Sequence, residues 1–394
     1  MNIGFDGSRA FIGNKTGTEN YSYQILKHLV QIDQNNRYYI YTRPVGAVHE
    51  PPLFQAHRGA PLQFITIPFP RLWTQAGLAQ QTFRDKLDVL FIPAHTIPLV
   101  RRPGLKTVVT VHDLGAQYLP KTHQVKQRLY LNFMTHRQLK SATHIIAVSQ
   151  ATKDDLVKKV GIPKEKISVV YEGYDKEKFK VQNSKFKVNQ TIKQYNLTYH
   201  DYFLFVGTIQ PRKNLERLIR AYRLQLTDYS QSKKAVSGSQ SAVSNLPKLV
   251  LAGGKGWLSD EIYGLPKKLG IEEHVKFLGY VPDEDLPALY SGAKAFLFPS
   301  LFEGFGLPIL EAMACGCPVL TANTSSLPEV AGKAALLVNP YSVDDITQGI
   351  AKLTMNHELR TKLTNLGLEQ VKKFSWEKAA QETLAVLEKV SKTK

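Results

Sequence analysis

The chain has 394 residues, more than one hydrophobic core usually organises, and 43% of them are hydrophobic, so two well-packed domains are expected. Its formal charge of +18, from 51 basic and 33 acidic residues, favours an anionic partner: nucleic acid, a membrane surface or a phosphorylated substrate. Only two cysteines occur, Cys315 and Cys317, which excludes a disulfide framework and a zinc site and fits buried, reduced thiols in the cytoplasm.

No signal-peptide pattern precedes the first strand, and no apolar run approaches the roughly 20 residues that cross a bilayer, so a soluble or peripheral protein is expected. Residues 1–5 form that strand. The loop after it carries Gly7, Gly13 and Gly17 and leads into a helix that begins near Glu19 and reaches Val30. A glycine-bearing connection at the head of a doubly wound domain belongs at its ligand crevice. Its spacing is not G-x-G-x-x-G, which weakens a dinucleotide reading.

Further strands are expected over 38–42, 62–67 and 87–92. The strand 107–112 sets His112 and Asp113 at its carboxyl end, where α/β sheets present functional groups. A single histidine there is more often structural than catalytic, and Asp113 can serve as a helix cap or an orienting partner. Residues 121–140 read as a basic helix, with Val125, Leu129, Phe133 and Leu139 on one stripe and Lys126, Arg128, His136 and Arg137 on its other faces. This is either a surface for acidic lipid headgroups, helped by Arg101, Arg102 and Lys106, or an ordinary core helix with a solvated basic face. Zinc-finger, RNP-like and helix-turn-helix patterns are missing, so nucleic acid is not the expected partner. The strand 142–148 leads into a helix capped at Ser149 with Asp154 and Asp155 in its early turns, and the strand 167–171 closes the first domain at 173.

Residues 174–200 are polar and basic, as an interdomain linker should be, and the second domain is expected over 201–374. It opens with the strand 202–206, followed by Gly207 and by Arg212 and Lys213 just before a helix that includes Asn214 and Leu215. Two cations beside a helix start suit a leaving diphosphate, on which negative charge accumulates as its bond to a sugar breaks. The Ser-rich stretch 228–245 reads as a flexible surface loop. The strand 248–252 ends in Gly253 and Gly254, a point of close backbone approach, and the strand 275–278 runs into Gly279, Tyr280 and Val281. Asp283, Glu284 and Asp285 superficially form a D-x-D metal pattern; following Pro282 and preceding a helix, they read as helix caps.

The most informative stretch is 298–320, FPSLFEGFGLPILEAMACGCPVL. A strand ends at Phe298 and Pro299, a loop follows with Glu303, Gly304, Phe305 and Gly306, and a helix starts at Pro308 and is ended by Gly316 and Pro318. Strand, glycine loop and helix start together hold an anionic ligand such as a diphosphate. Glu303 in the loop and Glu311 about one turn inside the helix lie on the same side, where one can bind sugar hydroxyls and the other a ribose; the alternative is a solvated loop residue and a surface helix residue. A last strand at 334–338, a helix over 343–366 and a final helix capped by Ser375 complete the chain.

The pattern E, seven residues, E within FEGFGLPILEAMACGCPV, followed by Glu329 in LPEVAG, resembles the signature of the retaining glycosyltransferases of the GT-B fold, family 4. The resemblance covers the whole chain. It implies an α/β fold of two doubly wound, Rossmann-like domains facing across a cleft: an acceptor-binding domain over 1–173, joined by the returning helix 375–394 with Trp376 as packing anchor, and a nucleotide-sugar domain over 201–374. It further implies that His112 faces the donor sugar, that Glu303 holds its hydroxyls, and that Arg212 and Lys213 take the diphosphate. Gly17, Gly207, Gly253, Val281, Phe305, Gly306, Leu307 and Glu311 become donor-binding candidates, with Thr18 and Asn20 beside them in the first loop. Many family members carry an arginine directly after the glycine at 207, where this chain has Thr208; Arg212 can supply that charge.

The resemblance also implies the reaction: transfer of a hexose from a nucleotide diphosphate sugar to an acceptor hydroxyl with retention of configuration, without a metal. A double displacement would need a carboxylate nucleophile at the anomeric carbon, and no residue is nominated for it, so a front-face, ion-pair-like transfer is expected. The phrases GTIQPRKN and TSSLPEVAG look like mannosyltransferases of surface polysaccharide synthesis. They point to GDP-mannose, a glycan or polyprenyl-diphosphate-linked acceptor, and work at the cytoplasmic face of an anionic membrane. The alternatives are a UDP-sugar-dependent glucosyl or N-acetylglucosaminyl transferase, a phosphorylase or nucleotide-sugar epimerase of the same fold, and a non-catalytic membrane-bound scaffold.

Overall fold

Short apolar runs alternating with helices make parallel sheets, because each crossover must return the chain to the same end of the sheet before the next strand begins. The computed structural model describes residues 1–13, 17–44, 60–69, 72–94, 96–114, 136–181, 184–237 and 246–393. They divide into two units, one of residues 1–173 with 374–394 and one of residues 174–373.

The described strands of the first unit are β1 (Asn2–Asp6), β2 (Arg37–Thr42), β3 (Leu62–Thr66), β4 (Val89–Ile92), β5 (Lys106–Val111), β6 (His144–Ala147) and β7 (Ile167–Val169). They form a parallel sheet in the order β3-β2-β1-β4-β5-β6-β7. The winding direction reverses between β1 and β4, whose central residues Ile3, Phe5, Leu90 and Phe91 are fully buried. One covering helix, Gly17–Ile32, turns Tyr21, Ile25, Leu26 and Leu29 inward and packs against the C-terminal helix Trp376–Ser391. That helix is capped by Ser375, whose hydroxyl accepts from the Lys378 N–H, and Trp376 is buried edge-on to Tyr21 at 5.8 Å between ring centres.

The second unit contains β8 (Tyr202–Val206), β9 (Lys248–Ala252), β10 (Val275–Gly279), β11 (Ala295–Phe298), β12 (Val319–Ala322) and β13 (Ala335–Val338). Their order is β10-β9-β8-β11-β12-β13, again parallel, and the winding reverses between β8 and β11.

Several elements differ from the expectations. The first helix starts at Gly17 rather than near Glu19. The stretch 174–200 is more than a linker: it holds the helix Lys185–Gln194, capped by Ser184, which buries Val188 and Ile192 and packs on the helix Leu286–Gly292. Two apolar residues one turn apart are enough to seat it. The expected Ser-rich loop is helical through its first half, because the helix Leu215–Ser237 continues into it; residues 238–245 lie outside the described residues. The single helix over 343–366 is two, Val343–Met355 and His357–Gln370, broken at Asn356, whose backbone is extended and whose side chain accepts from the Leu359 N–H. Of the basic segment 121–140, residues 121–135 lie outside the described residues, and 136–141 are helical.

The chain leaves the first unit at Gly173 and re-enters it at Phe374, and these two passages touch. A Cβ built on Gly173 would stand 2.0 Å from the Trp376 nitrogen and 2.4 Å from the Ser375 carbonyl carbon, both backbone atoms. Gly173→Ala is therefore expected to cost about 3 kcal/mol, the upper end for overpacking, because backbone cannot yield as a side-chain tip can. Urea unfolding followed by Trp376 fluorescence measures it.

Candidate active site

In a doubly wound sheet the strands on either side of the reversal send their following loops in opposite directions, which opens a crevice at their carboxyl ends. In the second unit those strands are β8 and β11. After β8 comes Gly207, with φ at +148°, then the short 3₁₀ turn Pro211–Lys213, then Asn214 in the left-handed region at φ +61°, and then the helix from Leu215. After β11 the chain passes Pro299, loops through Glu303 to Gly306 at φ +119°, and enters the helix Leu307–Ala314 with Pro308 in its first turn.

The two loops are tied together. The Leu301 N–H donates to the Arg212 carbonyl at 3.0 Å, and the Asn214 side-chain amide donates to the carbonyls of Pro299 at 3.0 Å and Pro340 at 2.6 Å. Arg212 Nη1 donates to the Phe302 carbonyl at 2.9 Å and to Glu303 Oε2 at 2.7 Å, while Lys213 Nζ donates to Glu303 Oε1 at 2.7 Å. Lys213 and Glu303 are each 7% exposed. The Lys213 ammonium also lies 4.8 Å from the Phe298 ring centre, a cation–π distance.

Burial by itself would raise the Glu303 carboxyl, but the charges of Lys213 and Arg212 hold it below the ordinary carboxylate range. Its loop is pinned from behind by the turn before the helix Leu327–Ala331. The Ser325 hydroxyl donates to the Glu303 carbonyl, and the Ser326 hydroxyl lies 2.9 Å from the same carbonyl and 2.7 Å from that of Phe305. Ser325 holds a left-handed backbone, φ +58°, to make this reach.

Gly207 and Gly253 are brought together at the ends of adjacent strands. A Cβ on Gly253 would stand 2.0 Å from the Gly207 carbonyl oxygen, and one on Gly207 would stand 3.5 Å from Lys213 Cε. The Gly253 N–H donates to the Gly279 carbonyl at 2.7 Å, so the β8, β9 and β10 ends are laced by glycine backbone. Gly306 starts the helix directly before the half-buried Leu307. Val281 and Phe305 are buried, which leaves their main chains rather than their side chains for a ligand.

Glu311 keeps different company from Glu303. Its Oε2 accepts from the Tyr290 hydroxyl at 2.9 Å, and burial, with Asp283 and Asp175 nearby, raises its pKa to about 7 against the opposing effects of the Tyr290 hydrogen bond and Lys178. The structure thus joins Glu303, Arg212 and Lys213 directly and gives Glu311 its own surroundings. Gly17, Thr18, Asn20 and His112 belong to the first unit. Gly17 is exposed at the start of its helix, and the Thr18 carbonyl accepts from the Ser22 hydroxyl at 2.9 Å.

His112 makes its ring contacts within its own unit. Nε2 donates to the Pro93 carbonyl at 2.9 Å and Nδ1 pairs with the Glu172 carboxylate at 3.0 Å. The carbonyl only accepts, which places a proton on Nε2, while Nδ1 faces the Glu172 carboxyl group. Burial opposes a charge on the ring, yet Glu172 and the Pro93 carbonyl raise its pKa above the ordinary value. The acidic run differs from the caps expected: the Asp285 side chain makes no cap bond and instead accepts from the Tyr195 hydroxyl at 2.6 Å, and Asp283 pairs with Lys178 at 2.7 Å. Among the described residues no group of three or more His, Cys, Asp or Glu is arranged around a common metal position.

Sequence reasoning placed Asn214 in the helix that in fact starts at Leu215, and missed Ser325, Ser326 and Tyr290. The phrases PRKN and TSSLPE carried Asn214 and the two serines. Tyr290, within an apolar helix, gave no signal.

The description "Glycosyl transferases group 1" matches a family model over residues 188–370, and "Glycosyltransferase Family 4" matches another over residues 15–178. O-antigen chain mannosyltransferase B of Escherichia coli is 34% identical over 279 residues, 71% of this chain and 69% of that protein. Serotype-specific mannosyltransferase WbdA of Escherichia coli is 31% identical over 291 residues, which are 73% of this chain and about a third, 33%, of the longer relative. Among solved structures, Anabaena Alr3699/HepE in complex with UDP-glucose superposes with a TM-score of 0.72 over 99% of this chain and 100% of that one, at 19% identity.

Removing Glu303 strands the buried Lys213 ammonium. Glu303→Ala is expected to lose about 3–5 kcal/mol in urea unfolding at pH 7, the range for breaking one side of a buried pair. Because the folded carboxyl sits below its unfolded value of about 4.3, its contribution is complete above that pH and is lost as pH falls through the lowered folded value. Stabilities of the wild type and Glu303→Gln should therefore converge on acidification; a gap that stays constant with pH contradicts the ion pair.

Proposed function

This chain belongs to family 4 of the glycosyltransferases, with the GT-B fold, and from that premise we propose that it transfers a mannosyl residue from GDP-mannose, with retention, to a glycan or polyprenyl-diphosphate-linked acceptor in polysaccharide synthesis. The observation that carries the reading is the Glu303–Lys213–Arg212 cluster at the reversal point of the second sheet. The mannosyltransferase names of the relatives support the sugar and the polysaccharide role.

In this reading the diphosphate takes Lys213 and Arg212 from Glu303, which accepts hydrogen bonds from both in this structure. Two hydrogen-bonded cations at the leaving group are worth most in a desolvated site, where charge develops on the β-phosphate as the bond to the anomeric carbon lengthens. Glu303, released from Lys213, accepts from the sugar hydroxyls, and Glu311 accepts from the ribose. The acceptor oxygen then bonds to the anomeric carbon on the face the phosphate leaves, and its proton passes to a phosphate oxygen, so bonds and charge balance without a carboxylate nucleophile. Gly207 and Gly253 let adjacent strand ends meet backbone to backbone, and Gly306 takes a φ of +119° that a side chain would strain. His112 has both ring nitrogens engaged within its own unit, by Glu172 and by the Pro93 carbonyl.

Among the described residues no helix is long and apolar enough to cross a membrane, and the charge of +18 supports peripheral contact with an anionic surface on the cytoplasmic side.

Thermal melts with GDP, UDP, ADP and their sugars test the donor: GDP-mannose is expected to stabilise most, and a larger shift with UDP-glucose would replace the mannosyl reading. In transfer assays Lys213→Ala should lower kcat by about 10²–10³-fold, the loss typical of a lost charge-stabilising donor. A β-linked product from α-configured GDP-mannose would refute retention.

A further inference from the structure

Lys213 and Glu303 follow the carboxyl ends of the central strands β8 and β11, and a second group of cations gathers at the amino ends of the same strands. His200 stands two residues before β8, and Lys294 directly precedes β11. A five-residue strand spans roughly 17 Å, so this end is separate from the Glu303 cluster. We propose that Lys185, His200, Lys294 and Arg360 form a second anion site, which binds the phosphate group of a soluble phosphate monoester.

Backbone and ring contacts assemble the group. The Lys185 ammonium lies 4.7 Å from the Tyr199 ring centre, and Tyr199 stacks on the His200 imidazole at 4.1 Å between centres. The His200 N–H donates to the Gly292 carbonyl at 2.7 Å, two residues before Lys294, whose own N–H donates to the Tyr202 carbonyl at 2.8 Å. Arg360 Nη1 donates to the Leu353 and Thr354 carbonyls at 2.8 and 3.0 Å, which leaves Nε and Nη2 without an acceptor among the described residues. His200 holds a left-handed backbone, φ +57°, and such residues recur at ligand clamps, where surrounding bonds hold them in place.

Unlike the carboxyl-end cluster, this one has no internal anion at its centre. Among the described residues Lys185, Lys294 and Arg360 form no salt bridge; Asp201 is the carboxylate that acts on Lys294 from nearby. Burial lowers the pKa of His200, and the charges of Arg360, Lys185, Lys294 and His357 lower it further. Burial and Arg360 lower that of Lys294 in the same way, against Asp201. An incoming anion relieves this mutual repulsion. Lys294 and Arg360 are half-buried, where charge is screened less than at an open surface. Ammonium and guanidinium groups only donate, which suits the accepting oxygens of a phosphate.

The body of the ligand has a place beside the cations. His357 lies one turn before Arg360 on the helix His357–Gln370, so the two are neighbours on its surface. His357 also lines a surface pocket of about 580 Å³ with Thr361, Asn365 and Leu366, flanked by Glu358 and Lys362. That volume falls within the roughly 300–1,000 Å³ of small-molecule sites. Its hydroxyl, amide and apolar lining suits an uncharged polar body, and Glu358 disfavours a second anionic group there.

The test is NMR of the full chain with labelled histidine, in which His200→Asn assigns the His200 signal; asparagine accepts a left-handed backbone. Glycerol 3-phosphate and inorganic phosphate are titrated at fixed pH and constant ionic strength. Glycerol 3-phosphate should move the His200 signal to saturation. The double variant Lys185→Gln/Lys294→Gln, whose circular dichroism should match the wild type, should raise the midpoint about tenfold or more, the effect of losing charge-assisted bonds. A His200 signal that stays still, that moves as far with sodium chloride, or that keeps its midpoint in the double variant overturns the proposal. If phosphatidylglycerol vesicles move it and neither soluble phosphate does, the occupant is a lipid headgroup and the soluble-ligand proposal falls. Because the signal is local to the amino ends of the strands, phosphate bound at Lys213 leaves the reading unaffected.

Discussion

A carboxylate buried with two cations is the constraint around which the second unit is arranged. Glu303, Lys213 and Arg212 come from segments some 90 residues apart, and each would be costly to bury alone. The strand order makes the meeting possible: β8 and β11 are neighbours, so the loops that follow them start side by side. Asn214 then bridges from one loop to the other, and Ser325 and Ser326 brace the glutamate's backbone. A cation pair already held in place by an internal anion needs little reorganisation to accept an external one. The desolvation of Lys213 is met during folding, by a negative partner that the chain itself supplies.

The same topological device occurs in the first unit with different contents. There the reversal between β1 and β4 carries Asp6 at a strand end and arginines at the rim, rather than a buried ion cluster. The two units have similar winding but opposite electrostatic depth profiles. At the reversal of the second unit Lys213 is buried and Arg212 half-buried beside their carboxylate, whereas at that of the first Asp6 is buried and Arg9 and Arg43 are exposed.

What could be read from the sequence depended on whether a residue's role is set locally. Glu303, Gly306 and the helix from Leu307 were legible because strand, glycine loop and helix follow one another within a dozen residues. Lys213 was legible because a cation at a helix start opposes the local dipole and so asks for a reason. The pairing of His112 was hidden, since Glu172 lies 60 residues away and nothing near either residue marks the other. Asp285 looked like a cap on local grounds, but Tyr195 from a distant helix end took its carboxylate. The helix Lys185–Gln194 escaped because its apolar face is only Val188 and Ile192, too short a signal among lysines. The Ser-rich stretch was read by composition, whereas its Ala, Gln and Lys residues let the preceding helix continue to Ser237.

The backbone contact at Gly173 and Trp376 has a consequence for the order of events in synthesis. The first unit is emitted first but completed last, because the helix Trp376–Ser391 that covers β4 and β5 is translated only after all 200 residues of the second. Until then the surface that helix will cover has no partner, and a vectorial process that normally favours the amino-terminal domain here leaves it open the longest. The nascent chain must keep that open core soluble while the second unit is already able to close on itself.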